Sequence, residues 1–320
     1  MDIDSSQPLT KVPCLWFNDC GLVIRAGPLA FRVSGEILAS KSPVFRDMLQ
    51  FPQPVKAETF EGCPVVYLYD DPADTTLFLR AIFDSEFFEP YPSETDFDTI
   101  HGVLLLSGKY LVDYLRRRAL GHLSSRFPTE LKEWLHPQPA SWTLKPEQLI
   151  PVINLAREAS ALWILPAAFY SLCKATPHVF SLIASGVPFR NKTASLYPRD
   201  LAVFLEGCYE QREGASAILQ FLWHPDHTPH CLSSTRCHAG RYAERKYREG
   251  SLYQRGYNPL ELWCEEDWLE LGPGICRVCV TVMRATHEMA LESFWDRLPK
   301  MYRLHCWEDL EQMKDAAFVC

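Results

Sequence analysis

Four cysteines in the last third of the chain, Cys231, Cys237, Cys276 and Cys279, form a C-x5-C pair followed by a C-x2-C pair. Two close pairs of thiolates are a common ligand pattern for one tetrahedral zinc ion. A C-x2-C knuckle can present two sulfurs to a single ion. Here it opens a helical pattern, and the free N–H groups at a helix start favour thiolates. The turn Gly272-Pro273-Gly274 just before it would let the backbone approach the metal. His224, His227, His230 and His238 lie in the same stretch and could replace one sulfur. Plain burial competes with both readings: Cys279 falls on an apolar stripe, and free cysteine is among the most buried residue types. At the level of sequence, a four-sulfur site, a histidine-substituted site and a set of buried thiols all stay open. The spacing does not fit a C2H2 finger, and no βαβ pattern supports a redox C-x2-C.

Other chemistry finds no footing. No G-x-S-x-G, Walker A, G-x-G-x-x-G or H-E-x-x-H motif occurs, so the expectation is that the chain is not an enzyme. Asp70-Asp71 reads as helix capping rather than a catalytic carboxylate pair. Arg116, Arg117 and Arg118 read as a solvated helix face. The stretch 236–255 carries six Lys or Arg residues with Tyr242, Tyr247 and Tyr253 between them, a pattern that can touch nucleic acid. The acidic run Glu261, Glu265, Glu266, Asp267 and Glu270 offsets it, which favours a solvated helix with local ion pairs.

The whole chain agrees with that reading. Its 320 residues carry a net charge of −8 and 22% charged residues, which offers no electrostatic case for nucleic acid or an anionic membrane. No run of 18 apolar residues suggests a membrane span, and the opening MDIDSSQPLTKVP does not read as a signal peptide. The 12 cysteines are then expected to be thiols, in the cytoplasm or the nucleus.

The elements that must position these residues fall into two regions. The stretch Asn18–Leu49 holds two short apolar runs separated by Gly27-Pro28, a hairpin signal. A helix follows, and Ser42-Pro43 opens a second one as N-cap and N1. Val65–Tyr69 reads as a buried strand. Asp71 and Pro72 start the next helix, and helices are expected over about 95–110 and 111–126. Prolines at 128, 137, 139 and 146 mark a linker. Beyond it the pattern is helical, with helices expected at 200–212 and 276–297, the latter stopped by Pro299.

Asp19, Phe31, Val33, Leu38, Ala39, Ser42 and Phe45 stand at the spacing of the opening of a BTB/POZ domain, and this stretch resembles that family. Ser34 stands where the family usually has histidine. The phrases Glu61–Asp84, INLAREASALWILPAAFYSLC and WDRLPKMYRLHCWEDL are similar to those of many fungal BTB proteins. The resemblance implies an α+β fold: a flexible arm over 1–17, a BTB/POZ domain over 18–126, a linker over 127–146 and a helical C-terminal domain over 147–320 carrying the zinc candidate. It also implies protein–protein interaction, as an adaptor or regulator, with protein partners that include a second copy of the chain or a cullin-type ubiquitin ligase scaffold. The segment Leu77–Phe83 lacks the Glu of the adaptors' cullin motif. The alternative is a zinc-stabilised transcriptional regulator that touches nucleic acid through its C-terminal region.

Overall fold

The two apolar runs around Gly27-Pro28 pair as the expected antiparallel hairpin. Strand β2 (Leu22–Ala26) and strand β3 (Leu29–Val33) are in register from Leu22 opposite Val33 to Ala26 opposite Leu29. Gly27 adopts a left-handed φ of 53°, which glycine reaches without a Cβ clash. The structure is a computed structural model that describes residues 9–51, 58–174, 179–223, 228–255, 258–271 and 274–319. It is α+β: a five-stranded sheet near the N-terminus, then helices.

The sheet runs in the order β1-β3-β2-β5-β4. Its outer members are β1 (Thr10–Trp16) and β4 (Thr59–Phe60), and β5 (Cys63–Leu68) runs parallel to β2. Strand β1 corrects the reading of 1–17 as a flexible arm over residues 10–16, which pair parallel with β3, while residues 1–8 lie outside the described residues. Pro13 excludes a helix there, but an edge strand tolerates a residue without an N–H. Strand β5 begins at Cys63, two residues ahead of the strand expected from Val65, and β4 pairs beside it.

Helices α1 (Gly35–Lys41), α2 (Pro43–Gln50), α3 (Pro72–Phe83), α4 (Phe97–Lys109) and α5 (Asp113–Ser124) complete this unit. The caps do what their residue types suggest. Ser42 Oγ accepts from the Phe45 amide at 3.1 Å, and Asp71 accepts from Ala73 and Asp74. Phe31, Phe45, Phe78 and Ile100 are fully or almost fully buried in its core.

The chain divides into two compact units. The first is Met1–Arg126 with Pro139–Leu144 and Ala317–Cys320; the second is Phe127–Gln138 with Lys145–Ala316. The stretch 127–146 is therefore not a free linker. A short helix, α6 (Leu131–Leu135), forms in it, and Trp134 packs on Tyr170 and Trp295 within the second unit. Trp142 is buried in the first unit and donates its indole N–H to the His122 carbonyl at 2.8 Å. The prolines there turn the chain, while the two indoles fix it.

The second unit continues with α7 (Leu149–Glu158), α8 (Leu165–Lys174), α9 (Val179–Ser185), a small hairpin of β6 (Val187–Phe189) and β7 (Lys192–Ala194), and α10 (Pro198–Ile218). Then come α11 (Gln220–Trp223), α12 (Ser234–Arg255), α13 (Glu265–Glu270), α14 (Arg277–Met301) and α15 (Trp307–Phe318). Helix α10 is longer than the expected 200–212. Helix α14 passes through Pro299, which sequence reasoning took as its stop. A proline leaves the carbonyl four residues earlier without its helical donor. Here that carbonyl, of Trp295, accepts the Trp307 indole N–H at 2.7 Å, so the helix continues.

Candidate metal centre

The ligating sulfurs of Cys231, Cys237, Cys276 and Cys279 lie within 4.8 Å of one another. This cluster can hold a metal ion. Cys231 Sγ is 3.4 Å from Cys279 Sγ and 3.9 Å from Cys276 Sγ. Sulfurs on a tetrahedron with metal–sulfur bonds of about 2.3 Å are about 3.8 Å apart, so little movement separates this cluster from a coordination shell.

Two helix starts bring the sulfurs together. Cys237 lies in the first turn of α12, where its amide donates to the Ser233 carbonyl. Cys276 is the N-cap of α14 and Cys279 sits in its first turn. The positive ends of both helices therefore face the cluster and favour negative sulfur. Cys231 arrives on the turn that precedes α12. The Cys276 amide donates to Cys237 Sγ at 3.1 Å, which ties the two pairs to each other.

A contact that sequence reasoning did not single out sets the approach of these two segments. Gly240 lies one helical turn beyond Cys237. A Cβ there would meet Ile275 Cγ1 at 2.8 Å and the Gly274 carbonyl oxygen at 3.1 Å. A Cβ on Gly274 would stand 3.6 Å from the Gly240 Cα. Of the expected turn 272–274, only Gly274 lies among the described residues.

The thiols are unequal. The Cys279 and Leu232 amides, with smaller help from neighbouring thiols, pull Cys276 down to about 6. Burial pushes Cys279 up to about 12 and raises Cys237 as well. One sulfur thus carries charge readily, and its neighbours hold protons that a divalent cation would displace. The histidines are placed differently. His230 and His238 are exposed, and the ligand cluster contains neither; His224 and His227 lie outside the described residues.

Beneath the sulfurs lies a core that Cys237 and Cys279 share with Phe221, Leu222, Trp263, Trp268 and Met283. Phe221 and Trp263 meet edge to face at 5.1 Å, and Trp263 and Trp268 at 5.2 Å. Burial in this core holds His287 down at about 4. The Arg248 guanidinium lies 4.7 Å from the Trp263 ring centre and pairs with Asp267, while Arg284 pairs with Glu265 at 3.1 Å. The pair of Arg248 with Asp267 is a local ion pair of the kind expected between the basic stretch and the acidic run.

No family model matches the chain, and neither curated proteins nor solved structures yield a match. Among the described residues, no helix is long and apolar enough to cross a membrane.

Proposed function

We propose that the chain is a protein-interaction module whose second unit is built around one structural zinc ion held by Cys231, Cys237, Cys276 and Cys279. The observation that carries the zinc reading is the approach of four sulfurs to within 4.8 Å. A set of four protein ligands leaves no position for substrate, which is the pattern of structural rather than catalytic zinc. Such a metal would join the starts of α12 and α14 above the aromatic core, and its binding free energy would be folding free energy for this unit. Metal analysis of protein purified without chelators tests this. One zinc per chain is the expected result, and none would overturn it.

The interaction reading rests on the BTB/POZ resemblance of the first unit. The residues that carry the resemblance occupy the β2–β3 hairpin and the two helices after it: Phe31, Val33, Leu38 and Phe45 are all buried there. A BTB/POZ unit serves by pairing with another protein. Affinity purification of the tagged chain from its own cells should recover specific protein partners, and a preparation with none would count against this role. The alternative of nucleic-acid contact has less support, because Arg248 and Arg245 of α12 are engaged by Asp267 and Glu249.

A further inference from the structure

Helix α14 is apolar on two opposite sides. Its inner stripe of Cys279, Met283, His287, Leu291, Phe294 and Leu298 is buried. On the far side stand Val278, Val282, Ala285 and Met289, at spacings of four, three and four residues. Val282 is 45% exposed and Met289 63%. Ala285 is exposed and Val278 half-buried. Alternating steps of three and four are the seam of a coiled coil, unlike the single apolar residues scattered over any surface. Leu232, whose amide faces the Cys276 thiol at the start of α14, is also exposed.

We propose that this face of α14 pairs antiparallel with the same face of a second copy of the chain. In that direction the seam sets unlike residues against each other, whereas a parallel pairing would set each residue against its own copy. Turning one copy about a twofold axis that runs between the two helices, level with the midpoint of Met283 and Arg284, sets Val278 opposite Met289 and Val282 opposite Ala285. All four seam residues are then covered, each large side chain facing a smaller one.

The charges select the same arrangement. Arg277 sits beside the start of the seam, Glu288 beside its end, and Glu292 and Asp296 follow beyond Met289; all four are exposed. The antiparallel pairing brings Glu292 of one copy towards Arg277 of the other, next to the positive end of that helix. A parallel pairing would set Glu292 against Glu292 and Arg277 against Arg277, which is unfavourable. The seam is about 11 residue steps long, or roughly 17 Å. That is less than a standard interface of about 800 Å² per partner needs, so the dimer dissociates on dilution. This pairing uses neither the sheet nor the helices of the first unit, so it is independent of the BTB/POZ reading.

Sedimentation equilibrium of the full chain over a wide concentration range tests the proposal, with zinc content and helical signal monitored throughout. The wild type should pass from monomer to dimer as concentration rises. Val282→Asp and Met289→Asp should stay monomeric at the same concentrations with an unchanged fold, since both side chains are exposed. Arg277→Glu or Glu292→Arg alone should weaken the dimer by roughly tenfold, and the two together should restore it. A wild type that is monomeric throughout overturns the proposal. So does a dimer that Met289→Asp leaves intact, which would place the contact on another surface. A dimer that Met289→Asp breaks while the double charge reversal fails to restore it would overturn the antiparallel register.

Discussion

Replacing Gly240 with alanine separates the two things this glycine does. In an isolated helix the change is favourable by about 1 kcal/mol, because alanine loses less backbone freedom than glycine. In this structure the new methyl group would stand 2.8 Å from Ile275 Cγ1 and 3.1 Å from the Gly274 oxygen. Ordinary contact begins near 3.4 Å, so α12 and the segment 274–276 must part by about half an ångström. Overpacking of this kind costs about 1–3 kcal/mol, so the metal-free protein should change little or lose about 2 kcal/mol. The metal-bound protein should lose more. Cys276 follows Ile275 directly, and a zinc site tolerates errors of only about 0.2 Å in its ligand distances. We expect zinc affinity to fall by about 10–100-fold, the range seen when groups that position ligands are removed. Competition with a chromophoric chelator measures it, beside thermal melts with and without EDTA. An alanine variant that binds zinc as tightly as the wild type would refute the reasoning, because the close approach at Gly240 would then have no bearing on the sulfurs.

Three further expectations follow from other groups. Serine at Cys276 removes the sulfur that the Cys279 and Leu232 amides favour as thiolate; zinc stoichiometry should fall well below one per chain, and the melting temperature should lose its sensitivity to EDTA. Arg157 meets the fully buried Asp200 through bonds of 2.7 and 3.0 Å. Arg157→Met leaves that carboxylate with Arg199 Nε, 3.8 Å away, as its remaining ion-pair partner, and should cost about 3 kcal/mol, read as a shift in denaturant midpoint; a loss below 1 kcal/mol would show that Arg199 and the start of α10 suffice to hold the charge. His287, held near 4 by burial, stays neutral in the folded chain, whereas the unfolded chain takes up its proton below about 6.5. Its contribution is present above pH 6.5 and is lost as pH falls from there to about 4, an amount of roughly 3 kcal/mol. His287→Phe should flatten the stability profile in that window relative to wild type.

Local rules made much of the first unit legible. Turn residues at Gly27-Pro28, the caps at Ser42 and Asp71, and the two short apolar runs of the hairpin each acted through neighbours within four residues. What escaped was set by distant partners. Pro13 excluded a helix but left the strand pairing of 10–16 unseen, because that depends on the exposed edge of β3. Pro299 ends a helix only when nothing replaces the missing donor, and the replacement, Trp307, sits beyond the helix end. The prolines of 127–146 signalled a linker, while Trp134 and Trp142 decide where that stretch is held. At the metal centre the C-x2-C pair was readable because two helix-start positions bring its sulfurs together. The spacing singled out the partner pair, Cys231 and Cys237, as well; the convergence of the two pairs and the contact of Gly240 with Gly274 were not readable from local pattern, since both depend on how α12 meets α14.

The most direct test of the central claim is X-ray absorption at the zinc edge on the purified full chain. The account predicts a single shell of four sulfurs at about 2.3 Å, and a zinc signal far weaker in the Cys276→Ser protein. A zinc signal with a shell of nitrogen or oxygen, or no zinc at all, would contradict it.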